Sequence, residues 1–78
     1  MRQKEQKLIV TFFTTADAMA MEQACRKRQA QGRLIPVPKS ISAGCGLAWC
    51  ADPQYEETLR EILQSAGIQE EAMQVCLV

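Results

Sequence analysis

The 78-residue chain contains no histidine. Histidine is the usual general base near neutral pH and the commonest neutral metal ligand, so serine-type triads and histidine-rich metal sites are excluded. An excess of charge is missing too, because nine basic residues balance nine acidic ones. Binders of nucleic acid or of membrane surfaces need surplus positive charge, and neither partner is expected. Lys and Arg are scattered, and the one cluster, Arg26-Lys27-Arg28, falls on a predicted helix face. No apolar run approaches the ~18 residues of a membrane span. The polar start MRQKEQK is not followed by the apolar core and small-residue cleavage site of a signal peptide. A cytoplasmic protein with reduced thiols is the expectation.

Four cysteines are present, at positions 25, 45, 50 and 76, and none forms a C-x-x-C pair of the zinc-knuckle or redox type. The length implies one domain, residues 1–78, with a thin core, since small domains bury only ~60% of their unfolded surface.

KLIVTFF (7–13) is β-branched, aliphatic and aromatic, and predicts a strand. A helix follows, with Thr14 or Thr15 as N-cap and Asp17 in its first turn. Ala18, Met21 and Cys25 share its apolar face, Ala24 lies beside them, and Gly32 is expected to end it. RLIPVP (33–38) is a short strand whose prolines confine it to a sheet edge. KSISAGCG is a loop and LAWCA (47–51) a third strand. The second helix opens on Asp52 as N-cap and Pro53 at its first position. Its apolar stripe is Tyr55, Leu59, Ile62, Leu63 and Ala66, and Gly67 stops it. AMQVCLV (72–78) is the last strand. The order β-α-β-β-α-β predicts an α+β ferredoxin-like sandwich. Its antiparallel sheet has order 4-1-3-2, with both helices on one face. That order puts the proline-bearing strand at an edge. On the open face Ile9 and Phe13 are expected to be exposed, a surface suited to a homodimer or another partner.

In this topology the first strand–helix turn and the loop between the second and third strands share one end of the sheet. Cys45, flanked by Gly44 and Gly46, is therefore expected near Thr14, Thr15 and the positive end of the first helix. A thiol reacts as its thiolate, and a helix N-terminus with turned backbone N–H groups favours that anion. Lys39 would add positive charge, Thr14 or Thr15 a hydrogen bond, and Asp17 an opposing charge if it turned toward the sulfur. The alternative is a tight loop whose glycines serve the backbone alone. Cys25, Cys50 and Cys76 read as small apolar packing residues, with Cys50 a candidate resolving thiol.

VTFFTTADAMAMEQAC, followed by RLIPVPKSISAGCGLAW, resembles the selenium/sulfur carrier protein-like family of small bacterial domains. The likeness rests on the strand ending in Phe-Thr-Thr, Ala18 and Glu22 in the following helix, Pro36 and Pro38, and Ser-Ala-Gly-Cys-Gly-Leu-Ala. It spans nearly the whole chain. The resemblance implies that Cys45 holds a persulfide or selenopersulfide, taken from a donor protein and passed to an acceptor, with no cofactor. Trp49 and Cys50 stand where ordinary aliphatic residues are expected. A non-catalytic interaction module using the open sheet face is the competing reading. Metal trafficking is disfavoured because the first loop, FFTTADA, holds no cysteine. Acylphosphatase-like chemistry would need an Arg there, and the sheet lacks the basic-plus-aromatic pattern of an RNA-recognition surface.

Overall fold

The computed structural model describes residues 5–39, 41 and 46–77. The elements are β1 (Gln6–Phe12), α1 (Thr15–Lys27), β2 (Arg33–Pro36), β3 (Leu47–Ala51), α2 (Glu56–Ala66) and β4 (Glu70–Leu77), with a 3-10 turn at Pro53–Tyr55 leading into α2. The four strands form one antiparallel sheet in the order β2-β3-β1-β4. Read from the other edge this is the expected 4-1-3-2.

The core lies on one face of the sheet, under both helices. Leu8, Val10 and Phe12 of β1 and Trp49 and Ala51 of β3 meet Ala18, Met21 and Cys25 of α1 and Leu59, Ile62 and Leu63 of α2. Alternation in β1 and three-to-four spacing in the helices select these residues. Each large side chain fully buried there stabilises the fold by about 1.5–3 kcal/mol.

The opposite face differs from expectation at Ile9, which is fully buried, while Phe13 is 56% exposed. Ile9 sits on an inner strand, flanked in register by Cys50 of β3 and Gln74 of β4. Side chains directly opposite on an antiparallel pair share a face and lie close together. Phe13 follows the last residue of β1 and lacks such flanks. Alternation assigns a residue to a face, and strand position decides whether it is covered.

Two helix ends also differ. α1 stops at Gln29, which adopts φ 54°, and not at Gly32. The amide of Ala30 donates to the carbonyl of Cys25 at 2.8 Å and that of Gln29 to Arg26 at 3.3 Å. These paired bonds close the helix without glycine. Gly32, at φ 124°, has a steric reason instead. A Cβ there would stand 2.4 Å from Trp49 Nε1 and 2.7 Å from the Cys50 carbonyl oxygen. The indole lies against the bare backbone and donates from Nε1 to the Gln31 carbonyl at 3.3 Å.

Asp52 precedes the 3-10 turn in extended conformation, but its side chain makes no capping bond. Its Oδ1 accepts from Lys7 Nζ at 2.6 Å and its Oδ2 from Gln31 Nε2 at 3.1 Å, while its own amide donates to Gln31 Oε1 at 2.9 Å. An ammonium and an amide outcompete the helix start for this carboxylate. The hydrogen bond from Lys7 to Asp52, helped by Glu5, raises the Lys7 pKa above its ordinary value.

Two stability measurements check this packing. Gly32→Ala combines left-handed strain of ~1–3 kcal/mol with overpacking of ~1–3 kcal/mol. Gly67, at φ 70°, has nothing within 4 Å of an added Cβ, so Gly67→Ala carries the strain alone. Urea unfolding should show a clearly larger loss for Gly32→Ala, and equal losses would refute the Trp49 contact. Lys7→Met and Asp52→Ala should be non-additive in a double-mutant cycle, with the coupling shrinking at high salt. Because the folded-state pKa of Lys7 is raised, its stabilisation is present below the unfolded value of 10.5 and is lost as pH climbs through the folded value. Simple additivity would return Asp52 to a capping role.

Candidate functional site

Thr14 is the N-cap of α1. It is extended, at φ −134° and ψ 156°, and its hydroxyl oxygen accepts from the Asp17 amide at 3.1 Å. Such a cap stabilises a helix by about 1 kcal/mol. The amides of Thr15 and Ala16 have no hydrogen-bond partner among the described residues. Thr14, Thr15 and Ala16 are all exposed. Among the described residues nothing pairs with these two N–H donors, so the positive end of α1, with the Thr14 hydroxyl proton beside them, is suited to an anion.

The loop between β2 and β3 begins and ends at this same end of the sheet. Pro36 pairs with Leu47, and Thr11 near the end of β1 pairs with Ala48 near the start of β3. Beyond the ladder the amide of Val37 donates to the Gly46 carbonyl at 3.0 Å. Gly46 holds φ 76°, a conformation that an L side chain enters at a cost of about 1–2 kcal/mol, and no atom of the described residues beyond its chain neighbours would lie within 4 Å of an added Cβ. Lys39 is exposed and follows Pro38, whose carbonyl accepts from Ile41 at 2.9 Å. Thr14, Thr15, Lys39 and Gly46 therefore share one end of the fold. Cys45 and Gly44 lie outside the described residues.

The other cysteines are placed and are free thiols. Cys25 is fully buried in the core, and desolvation pushes its thiol up to about 11. Cys50 and Cys76 are half-buried on the face opposite the core, since they pair in register with Ile9 and Lys7. Burial raises the Cys50 pKa despite the opposing charges of Lys7 and Arg33. Cys25 and Cys50 are therefore held as protonated thiols at neutral pH.

Cys50, a packing residue or resolving thiol by sequence, lines a cavity of about 270 Å³ with Lys7, Gln31, Gly32, Arg33 and Ala51. This cavity lies at the far end of β3, about 10 Å of strand beyond Leu47 at ~3.3 Å per residue. No group of three or more His, Cys, Asp or Glu suited to a metal occurs among the described residues. None of the described helices is long and apolar enough to cross a membrane.

No curated protein and no solved structure matches the chain. A family model does, over residues 7–74, from the first core strand into the last. The match takes in both strand–helix–strand halves and the Gly46 end of the sheet, and on it the chain belongs to the family described as "Putative Se/S carrier protein-like".

Proposed function

We propose that the chain is a sulfur or selenium carrier that holds the transferred atom on Cys45. The observation that carries this reading is the family match over residues 7–74. The geometry supports it. Gly46, the chain neighbour of Cys45, stands at the sheet end where the α1 N-terminus presents amides at Thr15 and Ala16 that have no partner among the described residues. A thiolate held there would gain from the helix dipole and from N–H donors, whereas Cys25 and Cys50 are held as thiols by burial. In sequence, Gly44 and Gly46 give Cys45 flanking residues without side chains, and a thiolate there would gain from the positive charge of Lys39.

The transfer is an exchange without net oxidation. The Cys45 thiolate attacks the outer sulfur of a donor persulfide. A new S–S bond forms on Cys45 as the donor's S–S bond breaks, and the donor leaves as its thiolate. An acceptor thiolate then repeats the attack on the terminal sulfur of Cys45 and releases the Cys45 thiolate. The same balance holds with selenium in the outer position. Donor and acceptor are thiol-bearing proteins, and no cofactor enters.

Intact mass after incubation of the reduced protein with a small-molecule persulfide tests the assignment. One added sulfur is expected on the parent chain and none on Cys45→Ala. Retention of the adduct by Cys45→Ala would refute the role of Cys45. Alkylation by iodoacetamide tests the electrostatics. The Cys45 rate should rise with pH and level off below the ordinary thiol value of ~8.5. Cys25 should stay unmodified until the protein unfolds. Thr15→Pro removes one of the α1 amides while keeping a residue suited to the first helical turn, so it should move the Cys45 midpoint upward. A midpoint at or above the free-thiol value in the parent chain would overturn the helix-end argument.

A further inference from the structure

The two sheet edges are built differently. β2 is four residues long, ends at Pro36 and is followed by Pro38, so its outer side offers few amides. β4 is eight residues long and carries neither proline nor lysine. Its regular ladder with β1 covers Ala72–Leu77, and a register shift sets Glu70 apart from it. On the helix side of this ladder stand Met73, Val75 and Leu77, in register with Val10, Leu8 and Gln6. Met73 packs against the core, but Val75 is 48% exposed and Leu77 59%. Among the described residues no strand pairs with the outer side of β4, so the apolar row stands at an open edge of the sheet.

We propose that β4 pairs with β4 of a second copy, antiparallel, about a two-fold axis at Val75, joining two four-stranded sheets into one. The row is its own complement under that operation. Val75 faces Val75 of the partner copy, and each Leu77 faces a Met73, so the core of one copy continues into the other. On the opposite face each Gln74 meets a Cys76. Glu70 and Glu71 stay outside the Met73–Leu77 overlap. A parallel pairing would set those carboxylates against their own copies, which is destabilising. Moving the axis to Gln74 would set Leu77 against Glu71, and a slip by one residue would mix the two faces. The contact is a strand edge, leaving the open sheet face and the Gly46 end of the fold uncovered. The overlap is short, so the dimer forms in a concentration-dependent way.

Sedimentation of the reduced protein from micromolar to millimolar concentration reads the outcome. The parent chain should move from monomer to dimer, and Val75→Lys should weaken that association by about tenfold or more. An equimolar mixture of Val75→Lys and Val75→Glu should dimerise again, because residue 75 faces its own copy only in this arrangement. Thermal unfolding checks that each variant folds. Leu77→Lys, set against Met73 of the partner copy, reads the same contact should Val75→Lys fail to fold. A parent chain that stays monomeric throughout overturns the proposal. So does a folded lysine variant at either position that still dimerises like the parent, or a lysine–glutamate mixture that stays monomeric.

Discussion

The Gln31–Asp52 clasp ties together three parts of the chain that are distant in sequence. Asp52 follows β3, Gln31 lies in the α1–β2 connection, and Lys7 stands near the start of β1. The Gln31 carbonyl also accepts from Trp49, whose ring lies in the core. A polar cluster at the chain crossings is thereby joined to the apolar layer through one indole. The requirement for a bare backbone at Gly32 is a consequence, since the ring occupies the space a side chain would need. With Trp49 fixed, β3 is held in register against β1 and β2. The antiparallel direction of β3 in turn puts Gly46, just before its first residue, at the end of the sheet where β1 and β2 finish.

The sheet consequently has two unlike ends. At one, ion pairing and hydrogen bonding consume the polar groups, and Cys50 sits behind them as a protonated thiol. At the other, the first amides of α1 have no partner among the described residues, and the backbone turns at Gly46 with none of their side chains in the way. The physical distinction is electrostatic satisfaction. A saturated carboxylate holds the structure together, while an unsaturated helix end can still bind an anion. Carrier chemistry suits the second end, because exchange needs a thiolate with access to a partner's sulfur.

Much of this was legible in the sequence. LAWCA bounds β3 as observed, because an apolar run between a glycine-rich loop and Asp-Pro leaves little choice. The face of α1 followed from spacing, as did Leu59, Ile62 and Leu63 of α2, though Ala66 is exposed and Tyr55 falls in the 3-10 turn before α2, and Pro36 located the sheet edge. The misses share one cause, which is competition from residues far along the chain. Asp52 reads as a helix cap until Lys7, 45 residues away, and Gln31 claim its oxygens. Gly32 reads as a helix stop until Trp49 takes its space. β4 begins two residues earlier than its apolar run, because Glu70 pairs with Phe12 beyond a register shift. The candidate site was legible only in part. Thr14 caps as expected and Gly46 takes the left-handed turn, but the cavity beside Cys50 has no local signature.

The edge strands carry the remaining asymmetry. In a β-α-β-β-α-β chain, β2 and β4 each end a strand–helix–strand half, and each becomes an edge. Only β2 is guarded by proline. The pairing capacity left at β4 lies on the strand that continues the core outward through Met73, Val75 and Leu77. A thin core gains most from extra apolar burial, and the unguarded edge is where this fold has room to add it. Such an addition would leave the α1 N-terminus and Gly46 free. Association at the edge and sulfur exchange at the sheet end are therefore compatible in one molecule.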